Sequence, residues 1–280
     1  MMDAQVIAEQ NCILRSVVGS HLHGLNIPGS DDTDEMGVCL EPPECVVGLR
    51  HFEQWVSRTQ PDGVKSGPGD KDITVYSLRK YCRLALGGNP TILLLLFSPL
   101  CFHTVHTSIG SQLQSLASAF IAKSVAKPFL GYMMAQRQRL VGERGQKRVK
   151  RPELEERYGF DTKYAAHILR LGLQGIELLT TGRLTLPMTL EEREYLVGVR
   201  TGSCDLQTVL THAGELEKRL EDCVAASPLP ETPDVHAVNE FLIRAYTAWW
   251  SVKHEAFRVQ IAGADALLQL NNEDGRFKSP

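Results

Sequence analysis

The sequence predicts an α+β protein, with a small mixed β-sheet flanked by helices in its first part and an all-helical C-terminal lobe. Three observations carry this. Short runs of strand-forming residues, Cys12–Val18, Met36–Leu40 and Asp72–Tyr76, all lie near the start of the chain. From residue 108 onward, apolar residues recur instead at the three- and four-residue spacing of helices. With 280 residues, 43% of them hydrophobic and 22% charged, the chain is long enough to bury such a core.

Residues 3–11 read as a short polar helix or a frayed start, and Cys12–Val18 as a buried strand. Gly19-Ser20 makes a tight turn, since glycine reaches backbone conformations closed to other residues. A polar loop leads to the strand Met36–Leu40, which Glu41-Pro42-Pro43-Glu44 breaks. Val46–Leu49 reads as another short strand and Phe52–Arg58 as an irregularly alternating one. Pro61, Gly63, Gly67, Pro68 and Gly69 mark the next stretch as a loop. Asp72–Tyr76 is a strand running straight into the helix Leu78–Leu86, where Leu78, Tyr81, Cys82 and Ala85 share a face. Gly87-Gly88-Asn89-Pro90 stops that helix and starts the next, with proline in its first turn.

The helical half reads as Ile109–Ile121, Ala126–Val141, Lys163–Thr180 capped by Asp161-Thr162, Thr189–Arg200, Asp205–Ala226 and Val235–Phe257. Phe129, Tyr132, Met133 and Leu140 form a core stripe on the second of these. Ser227–Pro233 carries three prolines and reads as a linker. The expected division is 1–105 as the sheet-bearing core, 106–270 as the helical lobe and 271–280 as a loose tail.

The chemistry concentrates between the first two strands. Residues two apart on a strand share a face, so Asp32 and Asp34 aim their carboxylates at one point. Like charges repel there, and a divalent cation suited to oxygen ligands, Mg2+ or Mn2+, removes the conflict. Asp31 is an extra acid that takes the place of Asp32 if the loop is bulged. Gly19 and Ser20 offer N–H groups and a hydroxyl to a phosphate. His21 and His23 either meet phosphate or base or simply face solvent. Further on, Lys163, His167 and Arg170 fall on one helical face with no acid among them, which suits an anion. Arg144, Lys147, Arg148, Lys150 and Arg151 form a basic run, read either as a solvated linker or as a phosphate-tracking surface.

Four segments complete the picture: Asp72-Ile-Thr-Val-Tyr-Ser-Leu-Arg-Lys-Tyr, Gly88-Asn89-Pro90-Thr91, Phe129-Leu-Gly-Tyr-Met…Gln136 and Asp161-Thr-Lys163…His167…Arg170-Leu. Together with Gly19-Ser20…Asp31-Asp32-Thr33-Asp34…Gly37-Val38, they resemble the DNA polymerase β-type nucleotidyltransferase superfamily. The resemblance is to its RNA-repair-associated branch, with bacterial and bacteriophage members, and it runs over roughly residues 12–225. It implies a nucleotidyltransferase sheet core, metal binding by Asp32 and Asp34, and Asp72 as a third carboxylate and general base. It also implies triphosphate contacts from Gly19, Ser20 and Lys163, joined by His167 and Arg170. NTP and RNA are the implied partners. Where that branch places a glutamate after Asn-Pro, this chain has the apolar Ile92–Leu96.

A formal net charge of −3 excludes a generic polyanion binder, so any nucleic-acid surface is local. Seven cysteines without a C-x-x-C pair read as reduced, mostly buried thiols. The start, MMDAQVIAEQN, lacks a basic stretch followed by an apolar one, and the apolar run Ile92–Phe97 is too short to span a bilayer. The expectation is a cytoplasmic enzyme that moves a nucleotide from an NTP to a hydroxyl, on RNA in end repair or tailing, tRNA included. A protein or small-molecule acceptor, or a non-catalytic NTP- or nucleic-acid-binding role, are the alternatives.

Overall fold

The computed structural model describes residues 3–61, 63–64, 66–142 and 151–252. Five strands, β1 (Cys12–Val17), β2 (Thr33–Cys39), β3 (Gln54–Arg58), β4 (Lys71–Ser77) and β5 (His103–His106), form one sheet in the order β3-β4-β2-β1-β5. β2 and β4 run parallel and every other pair is antiparallel, so the sheet is mixed. β2 is central, and its residues Glu35 to Cys39 are all buried.

Side-chain alternation serves both faces of that strand. Met36 and Val38 enter the main core, whereas Cys39 joins Val75, Phe52, Ile7 and Ala8 in a smaller cluster beneath α1 (Ala4–Gln10). The main core also takes in α4 (Leu78–Leu86) and α5 (Pro90–Phe97). Ser77 and Asn89 cap these helices by accepting from their first-turn N–H groups. α5 is buried almost all round, which explains its unbroken apolar sequence.

The helices that follow are α6 (Ser108–Ser115), α7 (Ala117–Phe120), α8 (Ala126–Val141), α9 (Pro152–Tyr158), α10 (Thr162–Thr181), α11 (Leu190–Arg200) and α12 (Leu206–Ala226). α10 is the axis of this half and packs against α8, α11 and α12. Gly172 allows its close approach to α12, since a Cβ there would lie 2.8 Å from the Leu216 Cβ. Asp161 caps α10, Asp205 caps α12, and Thr189 with Glu192 forms a capping box on α11. Residues 235–252 are helical and return to the sheet half. There the Tyr246 hydroxyl donates to buried Glu41 at 2.7 Å, and the Trp250 indole donates to the Glu41 carbonyl at 3.1 Å. The main core is continuous from Ile13 to Tyr246.

Several local expectations change. Val46–Leu49 is not a strand, because Pro43 starts a short helix, α3 (Pro43–Val46). The amphipathic stretch Ile109–Ile121 divides into α6 and α7 at Leu116. β5 is a four-residue edge strand of sequence HTVH that was not foreseen. On α8, Phe129, Met133 and Leu140 are buried as expected, but Tyr132 is 40% exposed. Cys12, Cys39, Cys45 and Cys82 are buried free thiols. Among the described residues, no helix is long and apolar enough to cross a membrane.

Candidate active site

β2 and β4 build the acidic wall of a cleft. Their parallel register sets Asp34 directly beside Asp72, and Asp32 precedes Asp34 by two residues on the same side. All three are half-buried, and each offers an oxygen within 4.8 Å of the others. Burial, reinforced by the charges of Asp32 and Asp72, pushes the Asp34 carboxyl up to about 6, with Lys163 opposing the shift. Burial also works on Asp72, but hydrogen bonds from Gln60, Ser66 and Arg58 outweigh it and hold that carboxyl below its usual range. Gln60 Nε2 and Ser66 Oγ each lie 2.9 Å from Asp72, and Arg58 Nε lies at 3.3 Å. Arg58 faces Asp72 because the two pair across β3 and β4.

Against Asp34 starts α2 (Gly19–His23), so Gly19-Ser20 is the start of a short helix and not an isolated turn. Gly19 has a φ of +63°, and a Cβ there would overlap the Asp34 carboxylate, so only glycine fits. The third wall is α10. Lys163, His167 and Arg170 face the cleft together with Gly19, Ser20, Asp34 and Asp72, around a cavity of about 370 Å3. That volume suits a small-molecule site. Asp32 lines an adjoining cavity that shares Asp72, Lys163 and Arg200 with the first.

Asp31 has a different task from the triad. One oxygen accepts from the Ile27 N–H at 2.9 Å. The other accepts from Lys163 Nζ at 2.8 Å and from Arg200 Nη2 at 2.9 Å. Burial pushes its pKa up, but these bonds win and hold the carboxyl well below the normal range. Asp31 thus ties the loop before β2 to α10 and α11, and the bulged alternative in which it replaces Asp32 is not the arrangement seen. Arg200, only 7% exposed, also donates to the Leu25 carbonyl. Nothing in the local sequence marks Arg200. The signal available was indirect, namely a third aspartate that needed a cationic partner.

His23 is 2% exposed, which rules out the solvent-facing reading. Its Nε2 lies 2.6 Å from Arg170 Nη1, and Arg170 also donates to Gln174 Oε1 at 2.8 Å. Arginine only donates, so Nε2 accepts and the ring is neutral. Burial, then Arg170 and His167, holds the His23 pKa well below the usual histidine value. Burial, then Arg170 and Arg151, holds His167 down at about 3. Arg170 is itself lowered to about 10 by burial, although part of its surface opens to the cleft.

Of the basic run, Arg144, Lys147, Arg148 and Lys150 lie outside the described residues. Arg151 bonds Asp161 at 3.0 Å and sits over the Tyr164 ring. Glu35, next to Asp34, points away from the triad and pairs with Arg15 and Lys71.

The triad fits a divalent ion. Its donors are hard carboxylate oxygens, their mutual repulsion is visible at Asp34, and Asp34 has no protein cation bonded to it among the described residues. A family model described as RlaP, RNA repair pathway DNA polymerase beta family, matches residues 3–244. No curated protein and no solved structure matches the chain.

Proposed function

The chain belongs to the RNA repair pathway DNA polymerase beta family, and on that premise we propose that it is a cytoplasmic, metal-dependent nucleotidyltransferase that moves a nucleotide from an NTP to a hydroxyl on RNA. The observation that carries this is the three-aspartate cluster, with Gly19-Ser20 beside Asp34 and the cations of α10 lining the same cleft. Asp32, Asp34 and Asp72 are the residues that would hold Mg2+ or Mn2+. When bound, such an ion polarises the phosphoryl group and acidifies the attacking hydroxyl.

The chain's own groups divide the remaining work. The Gly19 N–H and the Ser20 hydroxyl bind the β- and γ-phosphates. Lys163 and Arg170 neutralise charge that grows on the departing pyrophosphate, and His167 stays neutral beside them. The acceptor oxygen bonds to the α-phosphorus, and the bond from that phosphorus to the bridging oxygen breaks. The acceptor's proton passes to the Asp72 carboxylate, whose bonds to Arg58, Gln60 and Ser66 must loosen first. Asp31, held in turn by Arg200, positions Lys163.

The test is to incubate the protein with Mg2+ or Mn2+, each labelled NTP in turn, and RNA, DNA or protein. Label in RNA is the expected result. Label in protein alone would replace the acceptor while leaving the chemistry intact. No label under any condition, with Asp34→Asn binding NTP as the wild type does, sinks the enzymatic reading.

A further inference from the structure

Tyr132 is the aromatic residue of α8 that the core does not explain. Phe129 and Met133, on either side of it, are buried, while Tyr132 lies 40% exposed in a groove of about 690 Å3. The groove is formed by the end of α4 at Leu86-Gly87 and by the outer face of α8. Its charged wall residues are Lys127 and Arg139, both exposed, with no acidic residue among the groove's described lining. Twelve helical steps lead from Lys127 to Arg139, about 18 Å along the axis. Between them Gly131 leaves the helix surface open, with nothing within 4 Å of where a Cβ would stand. Gln136, also in the wall, has a buried side-chain oxygen with no hydrogen-bond partner among the described residues.

The groove is joined to the cleft by one short bridge. Asn89 Nδ2 donates to the Tyr132 hydroxyl at 3.2 Å, and the Asn89 oxygen accepts from the Thr91 N–H at 3.1 Å. Thr91 lines the cleft wall together with Tyr76. A chain molecule leaving the cleft past Tyr76 and Thr91 therefore meets Tyr132 next, then the two cations.

We propose that this groove binds a single-stranded segment of the RNA substrate, with a base stacked on Tyr132 and backbone phosphates held by Lys127 and Arg139. The inference rests on the nucleotidyltransferase reading and adds a substrate-binding surface outside the catalytic cleft. Cations spaced along a groove with an exposed aromatic between them match what a single strand requires: phosphate neutralisation and a stacking platform that tolerates any base. An acidic peptide would satisfy the cations but leave the aromatic unused. Duplex RNA keeps its bases paired and stacked on one another, so none offers a free face to a tyrosine on a helix wall.

The probe is a fluorescent single-stranded oligouridylate of about 12 nucleotides, within the usual span of a single-strand groove. Affinity for the full-length chain is measured by anisotropy across a salt series. Lys127→Glu with Arg139→Glu is expected to weaken binding more than tenfold and to reduce the salt slope by about 1.4, two phosphate contacts' worth. Tyr132→Ala is expected to weaken binding about tenfold, whereas Tyr132→Phe, which keeps the ring and loses the Asn89 bond, binds as the wild type does. Melting temperatures of all variants exclude unfolding as the cause. Unchanged affinity and slope in the charge-reversal variant overturns the proposal. So does equal competition by poly-glutamate, which would make the groove a site for an acidic protein, or equal binding by Tyr132→Ala. Wild-type transfer of label to a dinucleotide, too short to reach the groove, reports separately on the catalytic reading. Absence of label on every acceptor, dinucleotide and longer RNA alike, alongside intact groove binding would sink the chemistry and leave the RNA surface standing.

Discussion

On the sheet wall of the cleft, Asp34 is flanked by Asp32 and Asp72, and its carboxyl is driven up to about 6. On the helical wall, cations are already engaged: Lys163 and Arg200 share Asp31, and Arg170 holds His23 and Gln174. One wall gathers negative charge with no cation bonded to Asp34 among the described residues, whereas the cations of the other wall are already held by hydrogen bonds of their own. The first is a place for a ligand to finish, and the second can be rigid before any ligand arrives. The acids are therefore the side whose charge an ion would offset. The cations stand as a pre-set frame from which Lys163, the least buried of the three engaged, can turn toward phosphate.

The largest effect expected from breaking this contrast is at Asp34. Asp34→Asn removes both an ion ligand and a repelling charge. Transfer activity is expected to fall on the order of a thousandfold, several kcal/mol of transition-state stabilisation. The ion-free variant should nevertheless melt higher than the ion-free wild type, because a destabilising charge has gone. Adding Mg2+ should raise the wild-type melting temperature and leave the variant's unchanged. A wild type whose melting ignores Mg2+ and Mn2+ would contradict an ion site at the triad.

The frame breaks at Arg200. Arg200→Met leaves the Asp31 carboxylate, itself 2% exposed, with Lys163 as its one cation among the described residues. Losing one partner of a buried pair costs about 3 kcal/mol, readable by urea unfolding. Asp31→Asn in the Arg200→Met background should recover part of that loss, and no recovery would mean the two do not act as a pair. Lys163→Ala is gentler in stability, below about 1 kcal/mol, because its side chain is 34% exposed and Arg200 still holds Asp31. Its expected signature is kinetic, with KM for NTP raised about tenfold, a loss of phosphate contact.

The same contrast explains what could be read from the chain before its fold. Asp32 and Asp34 follow from strand alternation, a local rule, and Gly19-Ser20 from the backbone freedom of glycine. The strand that carries Asp72 was legible, but its register with Asp34 was not, since parallel pairing joins residues far apart in sequence. Lys163, His167 and Arg170 share a helix face as their spacing requires, yet the groups that hold them, Asp31 for Lys163 and His23 for Arg170, come from other segments, and Asp31 is shared with Arg200 of α11. The bonds that hold the cations of one helix are made across the fold. Pro43 misled for a related reason, because proline both ends strands and opens helices. At Tyr132 the helical spacing matched the core stripe, but the residue lies at the stripe's edge and faces the groove.

The smallest effect probes the helical wall through pH. His167 is held down to about 3 from an ordinary 6.5, chiefly by burial. Between those values the unfolded chain takes up a proton that the folded chain refuses, so the residue's contribution to stability declines as pH falls below 6.5. Asp34 acts in the opposite direction, since a raised folded carboxyl favours the folded state as pH falls through about 6. Whole-protein stability mixes the two, and only a difference isolates the histidine. His167→Gln removes the titration while keeping a polar side chain facing the cleft. Between pH 7 and pH 5, urea unfolding should show the wild type losing about 1 kcal/mol more than this variant, the shift discounted for the ring's partial exposure. An identical pH slope in both proteins would mean that His167 protonates as readily in the fold as outside it, and that the wall beside Arg170 is open to water.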